Sequence, residues 1–432
     1  MNMKRSIRIA SCLVVVIFNF SCNSIDKKAN KSTIAKEQSS LNAKDILGNP
    51  NKYPAISYGG YRAKSRTIQP TLPELKRDMK LLHAMGIRII RTYNVQPDLP
   101  HASNILEAIS QLKKEDPEFE MYVMLGAWID CLNAWTNETP NHEVESAQNE
   151  GEIARAVALA NKYPTIVKVV AVGNEAMIRW ATSYFVGPNI ILKWVNHLQD
   201  LKISGDLSKD LWITCSDDFA SWGGGDTSYR VKELEDIIKA VDYVSMHTYA
   251  YHNSHYNPMF WKVPEDEQNL SDIEKVDAAM IRALEFAKTQ YNDVSKYVKS
   301  IDPTKAVHIG ETGWATTSSG HYGVNGSKAT DEYKQGLYHQ HLREWTNKEG
   351  ISCFYFEAFD EQWKDVHNAQ GSENHFGLIN LKGEAKYGIW DLVDQGVFKG
   401  LTRLGKPITK TYNGNKDVLL KDVLVPNTEY HR

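Results

Sequence analysis

The sequence predicts an α/β fold, a single (β/α)8 TIM barrel with long aromatic βα loops at its C-terminal face. From residue 55 onward, short runs of β-forming residues alternate with longer helical patterns, which is typical of βα units around a parallel sheet. Eight such runs occur with no linker-like stretch between them, and this favours one barrel over two domains. A chain of 432 residues that is 42% hydrophobic is long enough for either arrangement.

The strand candidates are short and rich in apolar residues. In chain order they are Ala55–Tyr58, Ile87–Thr92, Met121–Gly126, Val167–Val172, Leu211–Cys215, Val241–His247, Ala306–Ile309 and Ile351–Phe356. A clear helical pattern between them is Leu72–Met85, with Thr71 as a possible N-cap and Gly86 as the terminating residue. After the eighth strand we expect a helix near Ile389–Gln395 and one strand-like patch at Val418–Val425.

The first 21 residues have the features of an export signal, with a basic start and an apolar run, Ile9–Phe20, that is too short for a stop-transfer helix. The following Ser21-Cys22 resembles a bacterial lipoprotein processing site. We therefore expect a lipid on Cys22; an ordinary cleaved signal peptide is the alternative. Residues 22–49 are rich in Lys, Ser, Asn and Ala and predict a flexible tether, which leaves 50–432 as the folded domain with its C-terminal tail.

These features predict an exported protein that a lipid anchors to the bacterial cell envelope, at the outer membrane or the cell surface. Without the lipid, the protein would be periplasmic or secreted. The formal net charge is −3, and removal of the signal, which has three basic residues and no acid, takes it to −6. That charge argues against a nucleic-acid partner, because such a partner needs a basic surface. We expect a monomer.

Three cysteines lie beyond Cys22, and an odd number excludes a complete disulfide framework. Cys215 and Cys353 lie in apolar, strand-like runs, so we expect them to be buried core residues. Cys131 follows a strand candidate, and a disulfide with either of the other two is the alternative for it.

Two strand candidates stop abruptly on a glutamate. The fourth ends in Val172-Gly173-Asn174-Glu175 and the seventh in Gly310-Glu311-Thr312-Gly313-Trp314. In a closed eight-strand barrel these two strand ends face each other across the mouth, where the active sites of this fold lie. Two carboxyl groups so placed are what glycoside hydrolysis requires, since one must protonate the leaving oxygen and the other must support the positively charged sugar ring. For a lone glutamate, an exposed residue at the start of a helix is the alternative.

The two motifs, in this order and on these strands, resemble the acid/base and nucleophile signatures of glycoside hydrolase family 17, the β-1,3-glucanases within the 4/7 superfamily of clan A. Other stretches that carry the resemblance are Arg91-Thr92-Tyr93, Met246-His247-Thr248-Tyr249, Phe356-Glu357-Ala358-Phe359-Asp360-Glu361-Gln362-Trp363-Lys364 and Glu373-Asn374-His375-Phe376-Gly377-Leu378. It covers about residues 55 to 395.

The resemblance implies that Glu175 is the acid/base and Glu311 the nucleophile of a retaining reaction, with carboxyl groups about 5 to 5.5 Å apart. It implies that Arg91 and Tyr249 hydrogen-bond Glu311 and keep it ionised. Asn174 would contact the 2-hydroxyl group of the sugar that is attacked.

The substrate-binding residues that we expect are Asn174, Arg91, Tyr93, Tyr249, Trp128, Trp314, Glu361, Trp363 and Lys364. The aromatic members suit the apolar faces of sugar rings, and plain packing is the alternative for the tryptophans. The resemblance also implies a supporting ion-pair network of Glu361, Lys364 and Glu373. For Glu357, a position in a solvated loop is equally consistent with the sequence.

We expect no cofactor and no metal. Metal-dependent barrel hydrolases place a His-x-His at the end of the first strand, whereas this chain has Tyr58-Gly59-Gly60-Tyr61 there. His339 and His341 lie in a helical pattern, where positions i and i+2 point to different faces. The run Gly223-Gly224-Gly225 lacks the residues that complete a phosphate-binding loop.

The leading functional prediction is a retaining, endo-acting hydrolase of β-1,3-glucan polysaccharides or oligosaccharides such as laminarin. Within the enzyme class, a β-1,3-glucanosyltransferase and an exo-acting β-1,3-glucanase remain alternatives, because acceptor sites do not show in the sequence. In a different class, the alternative is a non-catalytic glucan-binding surface lipoprotein.

Overall fold

The computed structural model describes residues 41–429. The predicted export signal, Cys22 and most of the predicted tether lie outside the described residues. The strands, in chain order, are β1 (Ala55–Ser57), β2 (Ile89–Arg91), β3 (Tyr122–Ala127), β4 (Cys131–Leu132), β5 (Asn141–Glu145), β6 (Val167–Asn174), β7 (Trp212–Asp218), β8 (Val244–His247), β9 (Val307–Gly313), β10 (Cys353–Phe356), β11 (Thr402–Arg403) and β12 (Lys406–Pro407).

Eight of these strands form a closed, all-parallel barrel in the order β1, β2, β3, β6, β7, β8, β9, β10, and β10 pairs with β1 to close it. The predicted single barrel is confirmed, and each of the eight strand candidates is a barrel strand. The ends differ by a few residues because β6, β7 and β9 continue past their apolar runs, to Asn174, Asp218 and Gly313. This extension carries polar side chains to the mouth of the barrel.

Helices surround the barrel and connect its strands. They are Ala43–Leu47, Leu72–Ala84, His101–Glu115, Gln148–Lys162, Pro188–Ser204, Lys232–Ala240, Ala250–Tyr256, Asp272–Ile301, Glu332–Glu349, Trp390–Asp394 and Lys416–Leu419. The Leu72–Ala84 helix begins where Thr71 donates from its backbone nitrogen to the Glu74 carboxylate, 2.8 Å away. Both faces of the barrel sheet are covered, so strands such as β3 are buried at every position.

Two short strands outside the barrel, β4 and β5, form an antiparallel hairpin in the long loop that follows β3. The hairpin is joined to the loop after β6, because the backbone nitrogen of Cys131 donates to the carbonyl oxygen of Tyr184, 3.2 Å away. The loops of the third and fourth barrel strands therefore form one structure on the rim.

The folded unit begins earlier than the sequence predicts. Ala43–Leu47 is a helix inside the predicted tether, and Asn42 and Asp45 form a capping box at its start. Ala43, Ile46 and Leu47 are fully buried. The prediction of a flexible tether is therefore wrong for this part, because three apolar residues in one turn bury more than the polar composition of the segment indicates.

The C-terminal tail packs on the barrel and does not contain the predicted strand. Val418–Val425 overlaps the helix Lys416–Leu419 and a 3-10 turn, so that prediction is wrong. The Asn415 side chain accepts a hydrogen bond from the Val418 nitrogen and so starts a helix instead. Upstream, Arg403 of β11 forms a buried ion pair with Asp78, 2.5 Å away, on the Leu72–Ala84 helix.

Cys131, Cys215 and Cys353 are buried free thiols. The expectation of buried core residues is confirmed for Cys215 and Cys353, and Cys131 forms no disulfide. Within residues 41–429, no helix combines the length and the apolar character that a membrane crossing needs.

Candidate active site

Glu175 and Glu311 both lie at the C-terminal mouth of the barrel. Glu175 directly follows β6 and has a left-handed backbone, with φ of +48°, a conformation that non-glycine residues rarely adopt and that is common at active sites. Glu311 lies within β9. A Cβ atom on the preceding Gly310 would collide with the hydroxyl oxygens of Ser245 and Ser216, which favours glycine at this position.

Three donors hold the carboxylate of Glu311. Arg91 Nη1 and the Tyr93 hydroxyl each lie 2.7 Å from Oε2, and the Tyr249 hydroxyl lies 2.7 Å from Oε1. The hydrogen bonds expected from Arg91 and Tyr249 are thus present, and Tyr93 adds a third. Hydrogen bonds and a positive charge at this distance favour the ionised carboxylate.

Arg91 is a buried link between the two glutamate motifs. Its Nη1 also donates to the Gly310 carbonyl oxygen, 2.8 Å away, and its Nη2 donates to Asn174 Oδ1, 2.5 Å away. The side chain is 1% exposed. The expectation that Arg91 contacts substrate is therefore wrong, because almost none of its side chain is exposed at the mouth of the barrel.

Glu175 has a partner that the sequence analysis missed. His247, at the end of β8, places Nδ1 3.0 Å from Glu175 Oε1 and Nε2 2.8 Å from the Ser216 hydroxyl, which in turn lies 2.9 Å from the Ser245 hydroxyl. The ring is fully buried. The available signal was its place in the sequence, as a polar residue that ends an apolar strand candidate two positions before Tyr249.

The pKa values of the two glutamates are shifted in opposite directions. Burial, and next the negative charge of Glu311, raise the pKa of Glu175 from 4.5 to about 8. Burial also acts to raise the pKa of Glu311, but neighbouring positive charge and the hydrogen bonds from Tyr249 and Tyr93 outweigh it, so that the pKa of Glu311 lies below 4.5. His247 adds to this only when protonated, and burial lowers the pKa of His247 to about 4. At neutral pH, where His247 is uncharged, Arg91 and the two tyrosines are the groups that favour the ionised form of Glu311.

At neutral pH the site accordingly holds one protonated and one ionised carboxyl group. One ligand-type atom each from Glu175, His247 and Glu311 lie within 4.8 Å of one another. Carboxylate and imidazole groups are ligands that cations accept, but the Arg91 guanidinium and two hydroxyl donors already occupy the Glu311 oxygens. This donor set suits a carboxylate poised for chemistry better than a metal ligand.

The segment after the eighth barrel strand forms an ion-pair network that contains the expected Glu361 and Lys364, with Glu357 in place of Glu373. Lys364 Nζ lies 2.6 Å from Glu357 Oε1 and 3.7 Å from Glu361 Oε2. Glu357 is 1% exposed, so its alternative place in a solvated loop is wrong. Glu373 is exposed and forms no ion pair within the part of the chain that the structure describes, so its place in the network is also wrong.

Glu361 is buried beneath the rim of the barrel. It is 1% exposed, and its carboxylate accepts from the Tyr61 backbone nitrogen at 2.8 Å and from Trp363 Nε1 at 2.9 Å. The expectation that Glu361 binds substrate is therefore wrong, since its oxygens are used to hold the first and eighth strand loops together. Trp363 and Lys364 remain partly exposed, and their contact with substrate stays a prediction.

The aromatic candidates for sugar stacking differ in how deeply their side chains are buried. Trp314 is fully buried, packs 5.4 Å from the ring of Trp261 and 5.0 Å from that of Tyr338, and donates to the Ala329 carbonyl oxygen, so the expectation that it stacks on sugar is wrong. Asn174, Tyr93, Trp128, Tyr249 and Trp363 are all partly exposed. Their contact with sugar stays a prediction.

Comparisons with known proteins place this site in context. Residues 55–377 match the BtgE/BtgC glycoside hydrolase domain. The chain is 63% identical to an endo-laminarinase from Formosa Hel1_33_131, and the crystal structure of that protein superposes with a TM-score of 0.89, covering 91% of this chain and 99% of that chain. A β-1,3-glucanosyltransferase of glycoside hydrolase family 17 from Rhizomucor miehei is 18% identical, covers 78% of this chain and 97% of its own, and shares the fold with a TM-score of 0.52.

Among curated proteins, the putative glucan endo-1,3-beta-glucosidase btgC of Aspergillus niger is 25% identical over 331 residues. The match covers 74% of this chain and 40% of that protein. The chain thus spans less than half the length of this relative.

Proposed function

The chain belongs to the BtgE/BtgC glycoside hydrolase domain family, and from that premise we propose that it hydrolyses internal β-1,3 linkages of a laminarin-type glucan with retention of configuration. We also assign it to glycoside hydrolase family 17, on the strand-end motifs that carry Glu175 and Glu311. No cofactor enters the proposed reaction. A sequence identity of 63% to an endo-laminarinase over almost the whole of that chain supports the choice of substrate and of endo action.

The observation that carries the mechanism is that the pKa values of the two glutamates at one site are shifted in opposite directions. A proton donor must be neutral and a nucleophile must be ionised at the same pH. The raised pKa of Glu175, about 8, and the lowered pKa of Glu311 meet both conditions at neutral pH. A purely glucan-binding protein has no need of such a pair, so this arrangement favours the enzyme over the non-catalytic alternative.

In the first step of the proposed reaction, an oxygen of Glu311 attacks the anomeric carbon while Glu175 gives its proton to the leaving glycosidic oxygen. The C–O bond of the glucan breaks, and an ester between Glu311 and the sugar forms. In the second step, Glu175 takes a proton from water, and the water oxygen replaces Glu311 at the anomeric carbon. The two inversions restore the original configuration, and both carboxyl groups return to their starting states.

The role of the three donors to Glu311 follows from this scheme. As the bond to the sugar forms in the first step, negative charge leaves Glu311, and it returns in the second step. Arg91, Tyr93 and Tyr249 keep their positions throughout, so the carboxylate does not have to recruit donors when its charge returns. We propose that Asn174, which Arg91 orients through its Oδ1, contacts the 2-hydroxyl group with its amide nitrogen.

The test is the hydrolysis of laminarin, with products separated by chromatography over time. We expect a mixture of oligosaccharides early in the reaction, whereas an exo-acting enzyme would release a single small product from the start, and a glucanosyltransferase would make products longer than its substrate. Glu311→Gln should lower turnover by about a thousandfold or more, because the amide cannot form the ester. Glu118→Gln, which changes an exposed carboxylate just before β3, at the end of the barrel opposite the mouth, is the matched control and should keep its activity. A Glu311→Gln variant with a tenth of wild-type turnover would refute the nucleophile assignment.

We further propose that the protein is exported and held at the cell envelope by a lipid on Cys22. Support for this comes from the sequence around Ser21-Cys22. The substrate would then be an extracellular or periplasmic glucan, and the enzyme would act as a monomer.

A further inference from the structure

Three aromatic rings form a platform beside Glu175, which we define as Trp128, Trp135 and Tyr184. Tyr184 and Trp135 stack with ring centroids 4.9 Å apart and planes 20° apart. Trp128 lies 5.3 Å from Tyr184 and 6.3 Å from Trp135. Tyr184 is nearly buried, whereas 62% of Trp135 is exposed, so one face of the Trp135 indole is covered and the rest is open.

The platform is built on rigid elements next to the acid/base. Trp128 follows Ala127, which pairs with Val172 in the neighbouring strand, three residues before Glu175. Tyr184 lies in the loop that Glu175 begins and belongs to a small apolar cluster that includes Ile178 of the same loop. Trp128, Tyr184 and Glu175 thus belong to adjacent strand ends on one side of the mouth.

The position of Trp135 carries a conformational cost. Its backbone is left-handed, with φ of +61°, and so is that of Asn133, with φ of +66°, which is unfavourable for residues with a Cβ. Hydrogen bonds across the tip hold it, since Asn133 Nδ2 donates to the Thr139 carbonyl oxygen and the Thr136 hydroxyl donates to that of Asn133. A strained backbone that exposes a large apolar ring to water indicates a function at that ring.

We propose that the platform of Trp128, Trp135 and Tyr184 binds a glucosyl unit of the chain segment that leaves with the protonated oxygen, on the aglycone side of the cleaved bond. This rests on the proposed function. The side follows from the roles of the glutamates: the sugar that is attacked lies over Glu311, whereas the departing segment lies toward the group that protonates it. The platform adjoins Glu175 through the third and fourth barrel strands, and Glu311 belongs to the seventh.

The chemistry of the platform suits a neutral sugar. Flat aromatic faces stack on the C–H faces of glucose, and no charge on the ligand is required. A ring that is pre-stacked and held by a hairpin loses little freedom on binding, so the contact is available without reorganisation. The platform would therefore favour glucans with several units beyond the cleaved bond.

The experiment compares two substrates that differ only on the aglycone side. Laminarihexaose has sugar units on both sides of the cleaved bond, whereas β-laminaritriosyl fluoride has fluoride as its leaving group and nothing that reaches the platform. Trp135→Ala should lower kcat/KM for laminarihexaose about tenfold, in line with the loss of one stacking face. It should leave kcat/KM for the fluoride within about twofold of wild type.

Two further variants provide the controls. Trp180→Ala removes a tryptophan of the Glu175 loop that is 64% exposed, so it matches Trp135 in exposure, and no aromatic stacking partner accompanies Trp180 among residues 41–429. Trp180→Ala should leave kcat/KM for both substrates unchanged. Trp135→Phe keeps a stacking ring and should recover most of the lost activity on the hexaose, which a general folding defect would not.

If Trp135→Ala leaves kcat/KM for laminarihexaose unchanged, the proposal is overturned. An equal fall in kcat/KM for laminarihexaose and for the fluoride would also overturn it. Calorimetric titration of laminarihexaose into Glu311→Gln, with and without Trp135→Ala, measures the contribution of Trp135 to glucan affinity without turnover. If the wild type does not cleave laminarihexaose, the proposed function fails, and the titration still decides whether the platform binds glucan. Equal affinities in that titration would overturn the platform on their own.

Discussion

The Nδ1 atom of His247 lies 3.0 Å from Oε1 of Glu175. The contact joins the end of the sixth barrel strand to the residue that follows the fourth. Because burial lowers the pKa of His247 to about 4, the ring is neutral at the pH where Glu175 must carry a proton. The acid/base is therefore oriented by a group that adds no charge to it.

His247→Ala should impair acid assistance and spare nucleophilic attack. Loss of the ring frees Glu175 to adopt other rotamers, so kcat/KM for laminarin should fall by about a hundredfold, within the range of a misplaced general acid. With β-laminaritriosyl fluoride, which needs little protonation, the fall should be less than about fivefold. The measurement is the ratio of the two effects. Ser216→Ala, which removes only the partner of Nε2, should give a smaller effect in the same direction, and an equal fall on both substrates would contradict the role.

Glu175→Ala should separate the two chemical steps. A substrate with a good leaving group still forms the intermediate on Glu311, and added azide then attacks the intermediate without help from a base. We expect turnover of the fluoride to rise with azide concentration and a β-glycosyl azide product to appear by mass spectrometry. A slow first step with activated substrates, combined with no azide effect, would count against Glu175 as the acid/base.

The pH profile of kcat/KM on laminarin should be broad and bell-shaped. Glu175 must be protonated for the first step, so the rate falls as pH rises through its pKa of about 8. Glu311 must be ionised, so the rate falls only when pH drops below 4.5, the ordinary value, because the pKa of Glu311 is lowered. Initial rates between pH 3 and 10 provide the measurement. A basic limb below pH 6 would contradict the raised pKa of Glu175.

The raised pKa of Glu175 makes the stability of the folded protein depend on pH. The folded protein holds the Glu175 proton up to about pH 8, whereas the unfolded chain loses it near 4.5. This contribution is fully present below pH 4.5 and is lost as pH rises through 8. Glu175→Gln has no such proton to lose. Relative to wild type, this variant should therefore have a higher Tm at pH 9 than it has at pH 4. Thermal denaturation of both proteins at the two pH values is the measurement.

Cys22→Ala should change the location of the protein. The proposed acyl chains depend on that residue, and an anchored protein should shift from the membrane fraction to soluble or unprocessed forms without it. Fractionation of cells and mass spectrometry of the mature N-terminus are the measurements. Unchanged membrane partitioning together with an unmodified Cys22 would refute lipidation.

The sequence by itself determined the barrel and its two glutamates. Alternating β-rich and helical runs are local patterns, and the parallel topology they imply brings every strand end to one face. Glu175 and Glu311 could therefore be assigned to the mouth from their strand numbers alone. Arg91 and Tyr249 could be assigned to Glu311 because the resemblance concerns residues that also lie at strand ends.

Burial and partnership of side chains were decided by the tertiary structure. Trp314 lies directly after a strand end, yet Trp261 and Tyr338, from other parts of the chain, cover it completely, whereas Trp135 is left open by a hairpin that the sequence does not reveal. His247 gained its place beside Glu175 through the pairing of distant strands. A local pattern fixes where along a strand a residue lies; which neighbours surround its side chain depends on loops that arrive from elsewhere in the chain.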